Sequence, residues 1–245
     1  MDIEFILIIS FFFIALCYSA AGFGGGSSYL AILAFAGMGM TALRPTALLC
    51  NIIVVAGGTF LFQKAKYIDE KKALPLIIPS IPMAFIGGYW PITQSFFFIL
   101  LGTSLLASAI LLWVQPTFSD HNNISNNPLL NGIIGGAIGL LAGLVGIGGG
   151  IFLAPVLHLT RWGDAKHIAA MTSLFILVNS ISGLIGQSLQ TSIEIDVMFI
   201  LPLLAVVFIG GQIGSRLSIN WFNHRLIKRI TAILIFIVSV RILWQ

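Results

Sequence analysis

Long apolar stretches cover most of this 245-residue chain, and they limit its fold more than any other feature of the sequence. Hydrophobic residues make up 58% of the chain and charged residues only 8%, whereas soluble domains carry about 25% charged residues. A soluble protein of this size would lack the polar residues needed to cover its surface. A bilayer removes that requirement because lipid is itself an apolar solvent. The sequence therefore predicts an all-α polytopic protein embedded in the lipid bilayer.

Ten apolar segments can be delimited, and a helix needs about 20 residues to cross the hydrocarbon core. The segments are 4–21, 27–39, 45–62, 73–90, 94–114, 129–146, 150–160, 166–187, 195–213 and 226–244. Segments 27–39 and 150–160 are too short to span a bilayer at about 1.5 Å per residue. Each follows a glycine cluster, which predicts a short helix within a buried hairpin or a discontinuous span.

The chain is predicted to contain an internal repeat. The polar, asparagine-rich stretch 115–128 separates residues 1–114 from residues 129–245 and is predicted to be a linker. Both halves carry the same landmarks in the same order, which is the sequence signature of a duplicated unit. The matched landmarks are Gly24–Gly26 with Gly148–Gly150, Thr46 with Thr172, Gly57 with Gly183, and Pro79 with Pro202.

Loop charges predict that the two repeats have opposite orientations. Loop 63–72 holds four lysines, while its counterpart near 188–194 has no lysine or arginine. The loop after Gly210-Gly211 is basic, while its counterpart near 91–94 is not. Because basic loops face the cytoplasm, the N-terminus is predicted outside and the linker in the cytoplasm. The N-terminal segment lacks the basic start of a cleaved signal peptide and is predicted to be retained. Inverted repeats are typical of secondary transporters, whose related halves exchange conformations around a central site.

The two glycine clusters are the strongest candidates for a binding site. Glycine permits left-handed conformations that break a helix, and the N–H groups of the next helix start can hold an anion. Nearby hydroxyl and amide side chains could add hydrogen bonds. The alternatives are close helix packing and hydrogen bonding between helices, and packing is expected for Gly87-Gly88, Gly135-Gly136 and Gly210-Gly211. The predicted substrate-binding residues are Gly24, Gly25, Gly26, Gly148, Gly149, Gly150, Thr46, Thr172, Ser173, Asn51 and Asn179.

Few residues outside the glycine clusters could carry proton transfer, metal binding or catalysis. His158 lies in the second short segment and is either a proton-coupling residue or a packed neutral histidine. Cys17 and Cys50 lie in apolar stretches and are predicted to be structural. No catalytic set, metal-ligand spacing or basic run with interleaved aromatic residues is present, so no enzyme, metal, cofactor or nucleic-acid function is predicted. The charged residues at segment ends are predicted interface anchors, namely Arg44, Arg161, Lys166, His167, Glu194 and Asp196.

Two sequence motifs carry a family resemblance that extends over nearly the whole chain. The first reads AGFGGGSSYLAILAF, and the second reads GLVGIGGGIFLAPVLHLTRWGDAKHIAAMTSLFILVNSISGLIG. Together they resemble the TauE/SafE family of membrane permeases. The first half departs from the pattern, because Ser27-Ser28-Tyr29 follow its glycines and nothing corresponds to Pro155. The resemblance implies an inner-membrane permease that moves sulfite, sulfoacetate and related organosulfur anions, usually outward.

The residues and the resemblance together predict a secondary transporter for a small anion, working by alternating access. The anion gradient or a proton gradient would drive it. The alternatives are a non-transporting membrane scaffold or subunit, and an anion channel. The identity of the anion, the direction of transport and the oligomeric state are open, with a homo-oligomer among the alternatives.

Overall fold

In the described part of the chain, nine α-helices follow the apolar segments of the sequence. The structure, a computed structural model, describes residues 3–114, 127–190 and 192–220, together with positions 232–233, 236–237, 239–240 and 242. The nine helices are α1 (Ile3–Ala20), α2 (Gly26–Phe35), α3 (Met40–Lys64), α4 (Glu70–Tyr89), α5 (Gln94–Val114), α6 (Pro128–Val145), α7 (Gly150–Leu159), α8 (Ala165–Gln190) and α9 (Val197–Asn220).

The all-α polytopic fold is confirmed in the described part of the chain. Those residues contain no strand, and six of their helices are long and apolar enough to cross a membrane. The short helices α2 and α7 appear where the two short segments predict them. Most of the tenth predicted segment, 226–244, and linker residues 115–126 lie outside the described residues.

The starts of the helices fall into two chemical classes. Helices α4, α6, α8 and α9 begin at a polar residue whose side chain accepts hydrogen bonds from first-turn N–H groups, which otherwise lack partners. The short helices α2 and α7 begin instead at Gly25 and Gly149, with no side-chain cap. Helix α3 also lacks a side-chain cap, but its N-terminal Gly39 is extended, whereas Gly25 and Gly149 are left-handed. The polar caps are Asp69, Asn127, Asp164 and Asp196.

The start of α3 corrects one prediction. The apolar stretch begins at residue 45, but α3 begins at Met40 and continues through Pro45. Arg44 therefore lies inside the helix and is only 7% exposed. Its side chain is buried among helices and does not face lipid, because hydropathy marks where apolar residues begin rather than where the helix begins.

Helix pairing repeats between the two halves. Helix α1 packs along α9, and α6 packs along α4. Helix α3 contacts α9 while α8 contacts α4, and α2 lies on α3 while α7 lies on α8. Exchanging α1–α4 with α6–α9 returns the same set of contacts. The inversion of the two halves across a membrane stays a prediction.

The centre of the bundle is the α3/α8 pair. Among the six spanning helices these two have the largest buried shares, 61% and 67%, while the others lie between 33% and 44%. Their hydrogen bonds run between residues far apart in sequence: Thr59 Oγ1 lies 3.1 Å from Ser173 Oγ. The two helices run antiparallel, since Leu48 at the other end of α3 contacts Gly183.

Close helix packing is confirmed for the glycines where it was expected. A Cβ atom added to Gly87 would collide with the carbonyl of Leu140, and one added to Gly135 would collide with that of Leu76. A Cβ on Gly210 would lie 2.6 Å from the Phe12 carbonyl oxygen. These contacts lie where α4 meets α6 and where α1 meets α9, because glycine lets the backbones approach closely.

Candidate functional site

Both glycine breaks adopt conformations that favour glycine. Gly25 has φ 89° and Gly149 has φ 83°, in the left-handed region that side chains with a Cβ rarely adopt. The N–H groups of Ser28 and Tyr29 both donate to the Gly25 carbonyl at 3.0 Å, and these bonds close the first turn of α2. The N–H groups before them have no partner within the helix and point out of its start.

The first break lies against both central helices. A Cβ added to Gly24 or Gly26 would collide with the side-chain amide of Asn51 on α3. A Cβ added to Gly22 would lie 2.6 Å from the carbonyl oxygen of Ala169 on α8. The amide of Asn51 therefore sits directly against the start of α2.

The second break also lies against both central helices, but with different neighbours. A Cβ added to Gly146 would lie 3.4 Å from Arg44 Cβ on α3 and 3.5 Å from Gln187 Nε2 on α8. A Cβ on Gly148 would collide with Ser180 Oγ, and one on Gly150 with Thr172 and Ile176 of α8. The two breaks are thus brought together on one helix pair, as the sequence predicts.

Polar residues form a seam between α3 and α8. Gly58 lies beside Ser173 Oγ at one end, and Gly146 touches both Arg44 and Gln187 at the other. In this antiparallel register Asn51 and Ser180 lie at the same level near the middle of both helices. We call this set the central seam: Arg44, Asn51 and Gly58 of α3, and Ser173, Ser180 and Gln187 of α8.

Several buried polar atoms around the seam have no hydrogen-bond partner among the described residues. Buried polar atoms are almost always paired, so such a cluster requires an explanation. Most of these groups can donate a hydrogen bond. In the described chain no three His, Cys, Asp or Glu side chains come close enough to hold a metal. The chemistry of the cluster therefore fits an acceptor ligand. Those beside the glycine breaks belong to Tyr29, Arg44, Asn51, Thr172, Ser180 and Gln187, and further unpaired buried atoms belong to Ser27, Trp162 and Asn179.

The predicted polar residues differ in how free they are to bind a ligand. Asn51 is fully buried with both amide atoms unpaired, and the Thr172 hydroxyl is also unpaired. Ser173 instead bonds to Thr59 Oγ1 and to the Val55 carbonyl, so its hydroxyl already joins the two helices. Asn179 donates its Nδ2 to the Phe175 carbonyl at 2.8 Å, which leaves only its acceptor oxygen unpaired.

Two further predicted residues are not brought to the breaks. Thr46 is buried, but it lies about 140° around α3 from Asn51. His158 is half-buried in the last turn of α7, about 12 Å along the helix from Gly150. Neither residue lies beside the start of a short helix.

Four residues of the central seam are missed by sequence analysis. Arg44 is predicted only as an interface anchor, and Gly58, Ser180 and Gln187 are not among the predicted site residues. Their spacing was a usable signal, because Arg44 and Asn51 are seven residues apart on α3, as are Ser180 and Gln187 on α8. Seven residues make about two helical turns, which places polar residues of an apolar helix on one face.

Comparison with known proteins agrees with this architecture. Residues 7–242 match the model of a family described as sulfite exporter TauE/SafE. The probable membrane transporter protein y4hK of Sinorhizobium fredii is 33% identical, with 100% of both chains covered. The probable membrane transporter protein MJ0441 of Methanocaldococcus jannaschii is 27% identical over 87% of each chain. The probable membrane transporter protein MamO of Magnetospirillum gryphiswaldense is 22% identical over 90% of this chain and 42% of its own length.

Proposed function

We propose, from the premise that this chain belongs to the sulfite exporter TauE/SafE family of membrane transporters, that it carries a small sulfur-containing oxyanion or organosulfonate. Sulfite and sulfoacetate are the leading candidates. The observation that supports this most is the fully buried Asn51 amide, which lies unpaired against the start of α2. An uncapped helix start and an unpaired buried amide together provide several hydrogen-bond donors that have no partner within the protein.

The anion would be held by donors from both halves of the chain. The N–H groups at Gly24–Gly26 and Gly148–Gly150 point out of two helix starts, where the helix dipoles favour negative charge. Asn51, Thr172 and Ser180 would add side-chain hydrogen bonds. Each hydrogen bond to a charged group contributes about 1.5–3 kcal/mol, so a few of them suffice for an oxyanion without covalent chemistry.

The proposed mechanism is alternating access between two inverted repeats, residues 1–114 and 129–245, joined by the cytoplasmic linker 115–128. The repeated helix pairing supports it, because halves with equivalent contacts can exchange conformations around the α3/α8 pair. The N-terminus outside, the location in the inner or plasma membrane, and a homo-oligomer belong to the same proposal. Proton coupling through His158 would have to act at a distance from the breaks.

Transport by the purified protein in proteoliposomes tests this function. Vesicles are loaded with sulfite, sulfoacetate, thiosulfate or sulfate, and efflux is compared with that from protein-free vesicles. We expect saturable efflux of at least one sulfur anion and a rise in the melting temperature of the protein with the same anion. Absence of both effects for every sulfur anion would reject the proposed substrate class.

The same measurements separate the alternatives. A scaffold or subunit that transports nothing would give neither efflux nor substrate-dependent stabilisation. A channel would give a turnover far above that of a carrier and no acceleration of efflux by unlabelled anion on the opposite side. The alternating-access proposal requires such exchange.

A further inference from the structure

Arg44 is a buried cation whose charge is not neutralised in the described structure. The residue is 7% exposed, and its Nη2 donates to the Gly143 carbonyl at 2.9 Å. The guanidinium carbon lies 6.0 Å from the centre of the buried Phe97 ring. Nε has no hydrogen-bond partner, and no described carboxylate lies within ion-pair distance. A carbonyl and an aromatic face orient this cation but leave its charge uncompensated.

An uncompensated charge in a membrane protein points to a ligand. Burial of an isolated cation is costly, and intramembrane arginines usually face a partner of opposite charge or a substrate pathway. Arg44 lies on the same face of α3 as Asn51, about 10 Å away along the helix. It is therefore positioned along the axis of the central seam and away from the lipid.

Gln187 provides a second unpaired group at the same place. Its side chain is 5% exposed, and both amide atoms lack a partner among the described residues. Gly146 touches both side chains, with Arg44 Cβ and Gln187 Nε2 3.4 Å and 3.5 Å from the position of its missing Cβ. The stem of the Arg44 side chain and the Gln187 amide thus lie beside Gly146, and the Arg44 guanidinium reaches Gly143, three residues earlier in the chain.

The opposite end of the α3/α8 pair has a different chemistry. Gly22 precedes α2 as Gly146 precedes α7, but its neighbour on the central pair is Ala169 instead of an arginine. Ala169, Ala170 and Phe62 form a separate buried apolar cluster there. The two halves share their backbone plan, so the buried Arg44 at one end is a property of these side chains, whereas the other end carries the partly buried Lys166 beside Tyr67.

We propose that Arg44 and Gln187 form an anion-binding station at one end of the transport pathway and set its selectivity for charge. This inference rests on the proposed function. It adds one positively charged group, the Arg44 guanidinium, to a site whose other hydrogen-bond donors are neutral. An anion at the station would accept hydrogen bonds from Arg44 Nε and Gln187 Nε2, and would neutralise the guanidinium. Among the described residues no buried arginine lies at the apolar end, so the anion meets a buried cation on one side only.

A purely structural role is the competing explanation. Gly143 lies in the last turn of α6, where carbonyl groups lack helical partners and a cation interacts favourably with the helix dipole. Arg44→Gln distinguishes the two roles, because glutamine retains an amide that can donate to the Gly143 carbonyl but carries no charge. Arg44→Lys retains the charge and loses the Nε donor.

The experiment measures anion binding to the purified protein by thermal shift and calorimetry, with sulfite, sulfate, sulfoacetate, methanesulfonate, phosphate and acetate as probes. For Arg44→Gln we expect Kd to rise about 10- to 100-fold, with a larger loss for dianionic sulfoacetate than for monoanionic methanesulfonate. Arg44→Lys should recover part of the affinity, and Gln187→Leu should weaken both probes by a similar factor. Arg216→Gln is the matched control, because it removes the same charge from an exposed position of α9.

The outcomes separate this inference from the proposed function. Unchanged affinity and unchanged charge preference in folded Arg44→Gln, with or without a lower melting temperature, would overturn the station and leave sulfur-anion transport intact. Binding of phosphate or acetate alone, abolished by Arg44→Gln, would support the station and reject the sulfur substrate. Binding of no anion by the unmodified protein would overturn both.

Discussion

Asn51 illustrates how a single residue can be unfavourable for the fold and useful for a ligand. Its side chain is fully buried with no described partner for either amide atom. A buried polar group without a hydrogen bond costs about 1–3 kcal/mol. We infer that the fold tolerates this cost because the amide is held in place for an anion at the start of α2.

Asn51→Leu tests this interpretation, because leucine has nearly the same shape and no polar atoms. The ligand-free variant should be more stable than the unmodified protein by about 1–3 kcal/mol, since the unpaired amide is gone. Its affinity for the transported anion should fall about 10- to 100-fold. Thermal unfolding without and with anion measures both effects. A variant that loses stability and keeps its affinity would show that Asn51 has only a packing role.

Gly25 is predicted to be required for both its backbone conformation and its lack of a side chain. Gly25→Ala would place a Cβ 2.8 Å from Ile14 and 2.9 Å from Tyr29, so we expect a stability loss of about 1–3 kcal/mol from overpacking and a strong reduction in flux. Gly37→Ala is the control, because Gly37 has a similar φ of 78° but no atom within 4 Å of the added Cβ. Equal effects of both substitutions on flux would contradict a special role for the break.

At the scale of the helix, the start of α8 depends on a capping interaction outside the membrane span. Asp164 accepts hydrogen bonds from the His167 N–H at 2.9 Å and from the His167 ring at 2.7 Å. Burial raises the pKa of the Asp164 carboxyl, but the hydrogen bonds from His167 outweigh this effect and leave the pKa below its usual value. The ionised carboxylate is therefore the form that stabilises the helix start.

Asp164→Ala should destabilise the protein by about 0.5–2 kcal/mol at neutral pH, because α8 loses its N-terminal cap. Since the pKa is lowered in the folded state, the carboxylate contributes its full stabilisation above the unfolded pKa of about 3.9. The contribution disappears as the pH falls through the lower, folded pKa. Melting temperatures between pH 7 and pH 3 should thus converge for the two proteins. A difference in melting temperature that widens on acidification would contradict a stabilising role of the ionised carboxylate. Asp164→Asn is the control, because asparagine keeps the shape of the side chain and removes its charge.

At the scale of the whole molecule, the α3/α8 pair is the most buried of the contacts that join the two halves, alongside α4/α6 and α1/α9. Thr59 and Ser173 link the pair at one end through a hydroxyl contact of 3.1 Å. Their separation along the chain means that this contact forms only when both halves are folded. The other end holds Arg44 and Gln187, and the proposed alternating-access cycle requires the two ends to open in turn.

A disulfide between cysteines at positions 59 and 173 should therefore stop transport. The substitutions Thr59→Cys and Ser173→Cys are made in a protein whose native Cys17 and Cys50 are replaced by alanine. Oxidation is expected to reduce anion exchange at least tenfold, and reduction should restore it. Each single-cysteine variant under the same oxidant is the control. Full exchange in a cross-linked protein would argue against separation of the central helices and in favour of a pore.

The family membership and the transporter class follow from the sequence together with the comparisons. Nine of the ten predicted apolar segments correspond to helices among the described residues. Local composition determines these features, because the length of an apolar run and a glycine cluster need no knowledge of distant residues. The two glycine breaks and their placement on a shared centre were predicted for the same reason, helped by the internal repeat.

Which side chains complete the site was decided only by the tertiary structure. The sequence predicts Arg44 to be an interface residue, whereas in the structure it donates to the Gly143 carbonyl of α6, in the other half of the chain. The sequence predicts Ser173 to be a ligand-binding hydroxyl, whereas in the structure its hydroxyl forms a hydrogen bond with Thr59 on α3. Hydrogen bonds between residues about 100 positions apart depend on helix register and on which faces meet, and neither quantity is encoded in local hydropathy. The sequence determines which elements exist, and their packing determines which polar groups are left free for an anion.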